Sequence, residues 1–126
     1  MKDYRQLQVW ERSHRLTVTL YRVTARFPAE ERYGLTSQIR RAAASIPANI
    51  AEGCGRDGDA ELARFCRIAS GSASELDYHL LLAKELGLLG DNSYRDLANE
   101  MGELRRMITT FLKKLTASSQ PLNANS

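Results

Sequence analysis

Apolar residues recur every three to four positions along most of the chain, and this period predicts helices. From about residue 4 to residue 27 the apolar positions form two separate stripes. A helix with two apolar stripes needs two covering surfaces, so we expect one stripe to face a bundle core and consider another subunit as the cover of the other stripe. The first stripe contains Leu7, Trp10, Thr17 and Tyr21, and the second contains Val9, Leu16, Leu20, Val23 and Phe27.

The second predicted helix begins near Leu35 or Thr36 and ends between Gly53 and Gly58. Pro47 lies inside it. Because proline lacks an N–H group and its ring presses on the carbonyl four residues earlier, we expect a kink that costs about 3 kcal/mol before compensation. Several alanines in this helix leave room for a close neighbour. The core stripe contains Leu35, Ile39, Ala42, Ala43, Ile46 and Ile50.

Two more helices complete the pattern. The third is predicted from Ala60 to a stop at Gly87, and the fourth begins after a cap at Asp91 or Ser93. Four long helices joined by short turns predict an all-α, up-down-up-down antiparallel four-helix bundle.

Length and composition limit the organisation of the chain. Its 126 residues, 43% hydrophobic and 26% charged, fit one globular domain. We expect the four-helix bundle domain to cover residues 1–116 and residues 117–126 to form a disordered tail. The sequence contains no apolar run long enough to span a membrane and no signal-peptide pattern, so a cytoplasmic protein without a membrane partner is expected.

The formal net charge of +3 is unevenly distributed. Residues 1–56 carry ten basic and five acidic side chains, whereas residues 57–126 carry eight basic and ten acidic ones. Most basic residues are arginines, whose planar guanidinium binds phosphate or carboxylate through two hydrogen bonds. Phosphate-containing or acidic partners are therefore one interpretation, and a solvated helix surface with local ion pairs is the other.

The sequence contains no pattern typical of an enzyme, a metal site or a cofactor site. His14 and His79 lie on different predicted helices without the Glu-x-x-His spacing of di-iron bundles. Cys54 and Cys66 do not form a C-x-x-C pair, so free thiols are expected. We therefore predict no catalytic, metal-binding or cofactor-binding residues.

Two sets of polar residues are candidates for binding. The first set recurs at three-to-four spacing on the second helix, which suits either exposure to water or hydrogen bonds between helices or subunits. The second set consists of arginines that could line one basic surface and bind a nucleic acid or another partner. The polar stripe contains Gln38, Ser45, Asn49 and Glu52, together with Arg41, and the arginine set contains Arg40, Arg41, Arg56, Arg64 and Arg67.

A long segment resembles the bacterial four helix bundle family, also called the S23 or 23S rRNA-intervening-sequence protein family. The resemblance is carried by FPAEERYGLTSQIRRAA at residues 27–43, SIPANIAEG at residues 45–53 and IASGS at residues 68–72. It also includes Val9-Trp10, Tyr21, Glu61, Phe65 and Glu75-Leu76, and it extends over about residues 4–115.

The resemblance implies a compact four-helix bundle that assembles into a ring-shaped homopentamer. The accessory variability proteins of diversity-generating retroelements are similar in fold, and they bind nucleic acid and a reverse transcriptase through basic surfaces. One hypothesis is therefore a non-enzymatic pentameric scaffold that holds RNA, DNA or a nucleic-acid-processing protein on an arginine-rich face. The alternatives are a purely structural or protein-interaction module, in which the arginines pair across subunits, and a small-molecule pocket between helices.

Overall fold

The computed structural model describes residues 2–119, which form four helices and no strand. The helices are α1 (Gln8–Thr24), α2 (Leu35–Cys54), α3 (Asp59–Glu85) and α4 (Asp91–Ser119). Two short 3-10 turns, Tyr4–Gln6 and Ala29–Glu31, precede α1 and α2. The prediction of an all-α fold with four helices is confirmed.

Consecutive helices pack against each other, and α1 also contacts α4. Side-chain contacts show antiparallel neighbours: Ser45 of α2 lies opposite Ser72 of α3, whereas Gly53 lies opposite Leu62. The core stripe predicted for α2 is buried throughout. Burying one large aliphatic side chain stabilises the fold by about 1.5–3 kcal/mol, so these stripes hold the helices together. The largest fully buried side chains include Leu20, Ile39, Ile46, Ile50, Leu62, Leu76, Leu80, Met101, Leu104 and Ile108.

The first apolar stripe of α1 is covered in part by the same chain. Leu7 and Trp10 pack against the edge of the core, and the Trp10 ring stacks on His14 with centroids 4.8 Å apart. Thr17 and Tyr21 are contacted by side chains or carbonyl groups of α2. Helix α2 of the same chain therefore covers part of the apolar stripe for which another subunit was considered.

Helix α2 is continuous from Leu35 to Cys54, and Pro47 is buried within it. Proline leaves the carbonyl of Ala43 without its usual partner in the helix. The Thr17 hydroxyl of α1 lies 3.0 Å from that carbonyl oxygen and 2.8 Å from the carbonyl oxygen of Ser13. The single proton of this hydroxyl is shared between the two carbonyls, so a side chain of the neighbouring helix offers the Ala43 carbonyl a donor in place of the missing amide of Pro47. The predicted kink at Pro47 stays a prediction.

The ends of α2 and α3 and the start of α4 agree with the sequence pattern, but α1 (Gln8–Thr24) is shorter than the helical pattern of residues 4–27, and α4 ends later than predicted. Gly58, in the turn between α2 and α3, has a φ of +86°, a conformation that favours glycine. Helix α4 continues to Ser119, three residues beyond the end predicted at residue 116. The rest of the predicted tail, residues 120–126, lies outside the described residues. No described helix is long and apolar enough to cross a membrane.

Candidate functional site

The Arg40 side chain connects α2 to α1. Its Nε donates a hydrogen bond to Oγ1 of Thr24 at 2.8 Å, and Nη2 donates to the main-chain carbonyl of Tyr21 at 3.0 Å. The guanidinium also lies over the Tyr21 ring, with Cζ 4.6 Å from the ring centroid. Such cation–π contacts stabilise a fold by about 0.5–2 kcal/mol. Two of the five N–H donors of Arg40 are therefore committed to α1 of the same chain.

Arg56 and Arg64 flank the ring of Phe65 where α2 ends and α3 begins. Their Cζ atoms lie 5.1 and 4.5 Å from the ring centroid. Arg56 donates to Glu52 at 2.8 Å, and Arg64 donates through two nitrogens to Glu61 at 3.2 Å. The hydrogen bond from Arg64 lowers the pKa of Glu61. These two candidate arginines come together, but two carboxylates balance their charge.

The predicted polar stripe of α2 lies along the seam with α3. The hydroxyl oxygens of Ser45 and Ser72 are 2.8 Å apart across this seam. Asn49 donates from Nδ2 to the main-chain carbonyl of Ser45 at 2.8 Å and to its Oγ at 2.9 Å. Ser45 and Asn49 are half-buried, whereas Gln38 and Glu52 are exposed. The centre of the stripe therefore makes one hydrogen bond between helices, joining Ser45 to Ser72, while the hydrogen bonds of Asn49 stay within α2, and the two ends of the stripe face outward.

The two remaining candidate arginines lie on different faces of the bundle. Arg41 is exposed on α2, and Arg67 is exposed on α3 beside α4. Neither has an ion-pair partner within residues 2–119. The five arginines are thus distributed over the α1–α2 seam, the outer face of α2, the α2–α3 turn and the side of α3 that faces α4.

Arg67 lines a groove between α3 and α4 that the sequence analysis did not anticipate. We call it the α3–α4 groove; its volume is about 400 Å³. Lys113 is exposed on the opposite wall, and it too has no ion-pair partner in the described part of the chain. The lining consists of Arg67, Thr109, Leu112, Lys113, Thr116 and Ala117.

A larger groove, of about 660 Å³, lies between the beginning of α1 and the second half of α4. We call it the α1–α4 groove. Its apolar part contains buried Val9 and half-buried Leu7, Met107 and Phe111. One sequence signal marks the basic charge of both grooves, although not the grooves themselves: residues 104–119 contain four basic side chains and no acidic one. The polar lining of the larger groove consists of Gln8, Arg12, Glu103, Arg106, Thr110 and Lys114.

The outward surface of α3 carries exposed apolar side chains. Tyr78 is 56% exposed and Leu81 37%, and three residues apart they are neighbours on the helix surface. Leu86, just after α3, is 60% exposed. We call these three residues the α3 apolar patch. Ile68 adds a further exposed side chain, 43% accessible, nearer the beginning of α3.

Of the histidines and cysteines considered in the sequence, His79, Cys54 and Cys66 are buried, whereas His14 is exposed. His79 is 7% exposed; its Nε2 lies 3.1 Å from Oε2 of Glu75, and its Nδ1 has no hydrogen-bond partner in the described structure. Cys54 and Cys66 are buried free thiols. Burial raises the pKa of Cys54, and it raises the pKa of Cys66 to about 11, so both thiols are protonated at neutral pH. No group of three His, Cys, Asp or Glu residues within residues 2–119 could hold a metal ion.

Comparison with known proteins identifies the family. The sequence pattern of a family described as 23S rRNA-intervening sequence protein matches residues 5–110. The chain belongs to this family. A similar solved structure is a protein of unknown function from the S23 ribosomal protein family of Bacteroides thetaiotaomicron, with a TM-score of 0.74 and 23% sequence identity. The similarity covers 83% of this chain and 98% of the other, and at this identity it shows the fold alone. No curated protein matches the chain.

Proposed function

We propose that this protein is a non-enzymatic scaffold that assembles into a homopentamer and binds RNA, DNA or a nucleic-acid-processing protein. The α3 apolar patch is the observation that supports self-assembly. Tyr78, Leu81 and Leu86 expose between 37% and 60% of their surface in a single subunit. Clustered apolar side chains on a surface are typical of protein–protein contacts. The number of copies follows from the family resemblance.

A ring requires a heterologous contact, in which the patch of one copy meets a different surface of the next copy. Each Å² of apolar surface removed from water contributes about 25 cal/mol, so covering three large side chains favours association. The contact would also bury part of Tyr78, and aromatic residues are enriched in the centres of such interfaces.

Replacing Tyr78 with glutamate is expected to dissociate the assembly. A carboxylate at the centre of an apolar contact is desolvated without a partner, which costs several kcal/mol per interface. Native mass spectrometry should give five times the 14.1 kDa chain mass for the wild type and mostly single chains for Tyr78→Glu.

The matched control is Tyr33→Glu, because Tyr33 is 89% exposed and lies outside the α3 apolar patch. It introduces the same side chain and should leave the assembly unchanged. Circular dichroism should show equal helix content in all three proteins. A wild-type protein that is monomeric at micromolar concentration would contradict the scaffold proposal.

The α3–α4 groove supports the nucleic-acid part of the proposal. Arg67 and Lys113 are exposed there, and Thr109 lies on the same surface, whereas the Thr116 hydroxyl donates to the main-chain carbonyl of Leu112 at 2.8 Å. Basic side chains and hydroxyls are the groups that contact a phosphate backbone. Several copies of such a weak site on one assembly would bind a long RNA with increased avidity.

Binding to single-stranded RNA should therefore depend on salt and on the basic residues of the α3–α4 groove. If three phosphates are contacted, affinity should fall about 20-fold between 50 and 200 mM salt. Fluorescence anisotropy with a labelled RNA should show weaker binding for Lys113→Ala and for Arg67→Ala.

Lys84→Ala is a suitable control for this experiment, because Lys84 lies over the Tyr94 ring at the other end of α3. It should bind RNA like the wild type. If the wild-type assembly shows no salt-dependent binding to RNA or DNA, the nucleic-acid part is wrong, and a purely structural or protein-interaction module becomes the better explanation.

A further inference from the structure

The α1–α4 groove exists because α4 is much longer than α1. Helix α1 has 17 residues and α4 has 29. Arg12 of α1 pairs with Glu103 of α4, and the two helices run in opposite directions. Since α1 begins at Gln8, α4 continues for about three turns beyond the last residue that α1 can cover. Helix α3 covers another side of this part of α4, and on the open side Leu7, just before α1, lines the groove.

The uncovered side of α4 is apolar at its centre. Met107 and Phe111 are four residues apart, so their side chains lie on one face of the helix, and both are half-buried against the edge of the core. Leu7, just before α1, lines the same groove. These three side chains form a floor that could take the apolar face of another helix.

The edges of the groove are basic. Its lining contains the three basic side chains Arg12, Arg106 and Lys114, against the single acidic side chain of Glu103. Glu103 already pairs with Arg12, and this hydrogen bond lowers the pKa of Glu103. Arg106 and Lys114 have no ion-pair partner within residues 2–119. A ligand with an apolar face and acidic edges would complement this arrangement.

We infer that the α1–α4 groove binds an acidic amphipathic helix of a partner protein, about three turns long, in the position that an extension of α1 would occupy. Helix-in-groove recognition places apolar residues at i, i+3, i+4 and i+7 on a floor of this kind. Glutamates beside that apolar face would pair with Arg106 and Lys114. Each copy of the chain carries a complete groove, so binding does not require the assembly proposed above.

Two other occupants fit the groove less well. Residues 120–126 of this chain contain no charged side chain and include Pro121, which is disfavoured inside a helix. A nucleic acid would satisfy the basic edges but would leave the apolar floor without complementary contacts. The α3 helix of a second copy carries five acidic and three basic side chains, so native mass spectrometry, and not charge, separates a second copy from a partner helix as the occupant.

The inference can be tested with a labelled synthetic peptide of about 14 residues, in which leucines follow the i, i+3, i+4, i+7 pattern and the other positions are glutamate or glutamine. Fluorescence anisotropy with the full chain should show saturable binding. A peptide with lysine in place of every glutamate should bind at least tenfold more weakly.

Two charge reversals on adjacent residues provide a matched comparison. Lys114→Glu places a carboxylate on the α1–α4 groove and should weaken binding of the acidic peptide about tenfold or more. Lys113→Glu changes the charge of the chain equally but acts on the α3–α4 groove, so it should weaken binding by less than about twofold. Met107→Asp places a charge on the apolar floor of the groove and should also weaken peptide binding. Circular dichroism checks that the helices of this variant are intact.

The inference is wrong if the acidic peptide does not bind, if the lysine peptide binds equally well, or if both charge reversals have the same effect. It is also wrong if peptide binding converts the assembly to single chains in native mass spectrometry, because the groove would then belong to the contact between copies. If the wild-type protein is monomeric but still binds the acidic peptide, the proposed scaffold is wrong and this inference stands.

Discussion

Replacing Gly53 with alanine is expected to lower the free energy of unfolding by about 1–2 kcal/mol. A Cβ atom at this position would lie 2.9 Å from Cδ1 of Leu62, 2.9 Å from Cβ of Phe65 and 3.3 Å from the Leu62 backbone. The backbone of α3 cannot move away without disturbing the core. Overpacking of this kind costs about 1–3 kcal/mol, which exceeds the 0.5–1 kcal/mol that alanine gains over glycine within a helix.

The matched control is Gly71→Ala, because Gly71 lies inside α3 with no atom within 4 Å of an added Cβ. This change should raise the free energy of unfolding by about 0.5–1 kcal/mol, since only the helix propensity changes. Urea unfolding at matched protein concentration measures both values, because association would otherwise alter the apparent stability. Equal effects of the two substitutions would show that α2 and α3 are not in close contact at Gly53.

Removing the Thr17 hydroxyl is expected to destabilise the protein by about 1–3 kcal/mol, because Thr17→Val leaves the Ala43 carbonyl without a donor. The carbonyl needs Thr17 only because Pro47 has no N–H group. In a Pro47→Ala background the new amide can donate to Ala43, so the same Thr17→Val change should then cost less than about 0.5 kcal/mol.

A double-mutant cycle measures this coupling directly. Chemical unfolding of the wild type, the two single variants and the double variant gives the interaction free energy between positions 17 and 47. Thr19→Val serves as a control, because Thr19 lies on the side of α1 that faces Glu100 of α4. If Thr17→Val costs the same in both backgrounds, its hydroxyl does not replace the missing amide of Pro47.

The sequence predicted the helices well because their causes are local. The stripe Leu35, Ile39, Ile46 and Ile50 is buried as its spacing required. Turn glycines marked the ends of α2 and α3, and the end of α4 was harder to predict because no glycine or proline follows immediately after residue 116. Helical periodicity depends on a few consecutive residues, so it can be recognised without knowledge of the packing.

The candidate arginines show where local reasoning is insufficient. Arg40 has its acceptors sixteen and nineteen residues away on another helix, and the sequence carries no signal for such contacts. Arg56 and Arg64 pair with carboxylates three or four residues away, which spacing alone could have indicated. The α1–α4 groove was not predicted, because it depends on the register of two helices that are distant in sequence.

The sequence by itself determined the number of helices, their approximate ends and the side of each helix that is buried, because these depend on a repeat of three to four residues. The structure decided which side chains meet across helices: Thr17 with the Ala43 carbonyl, Ser45 with Ser72, and Arg12 with Glu103. It also decided that the end of α4 extends past α1 and leaves a groove open. Helix register is fixed by packing over the whole bundle, and no short segment of sequence contains that information.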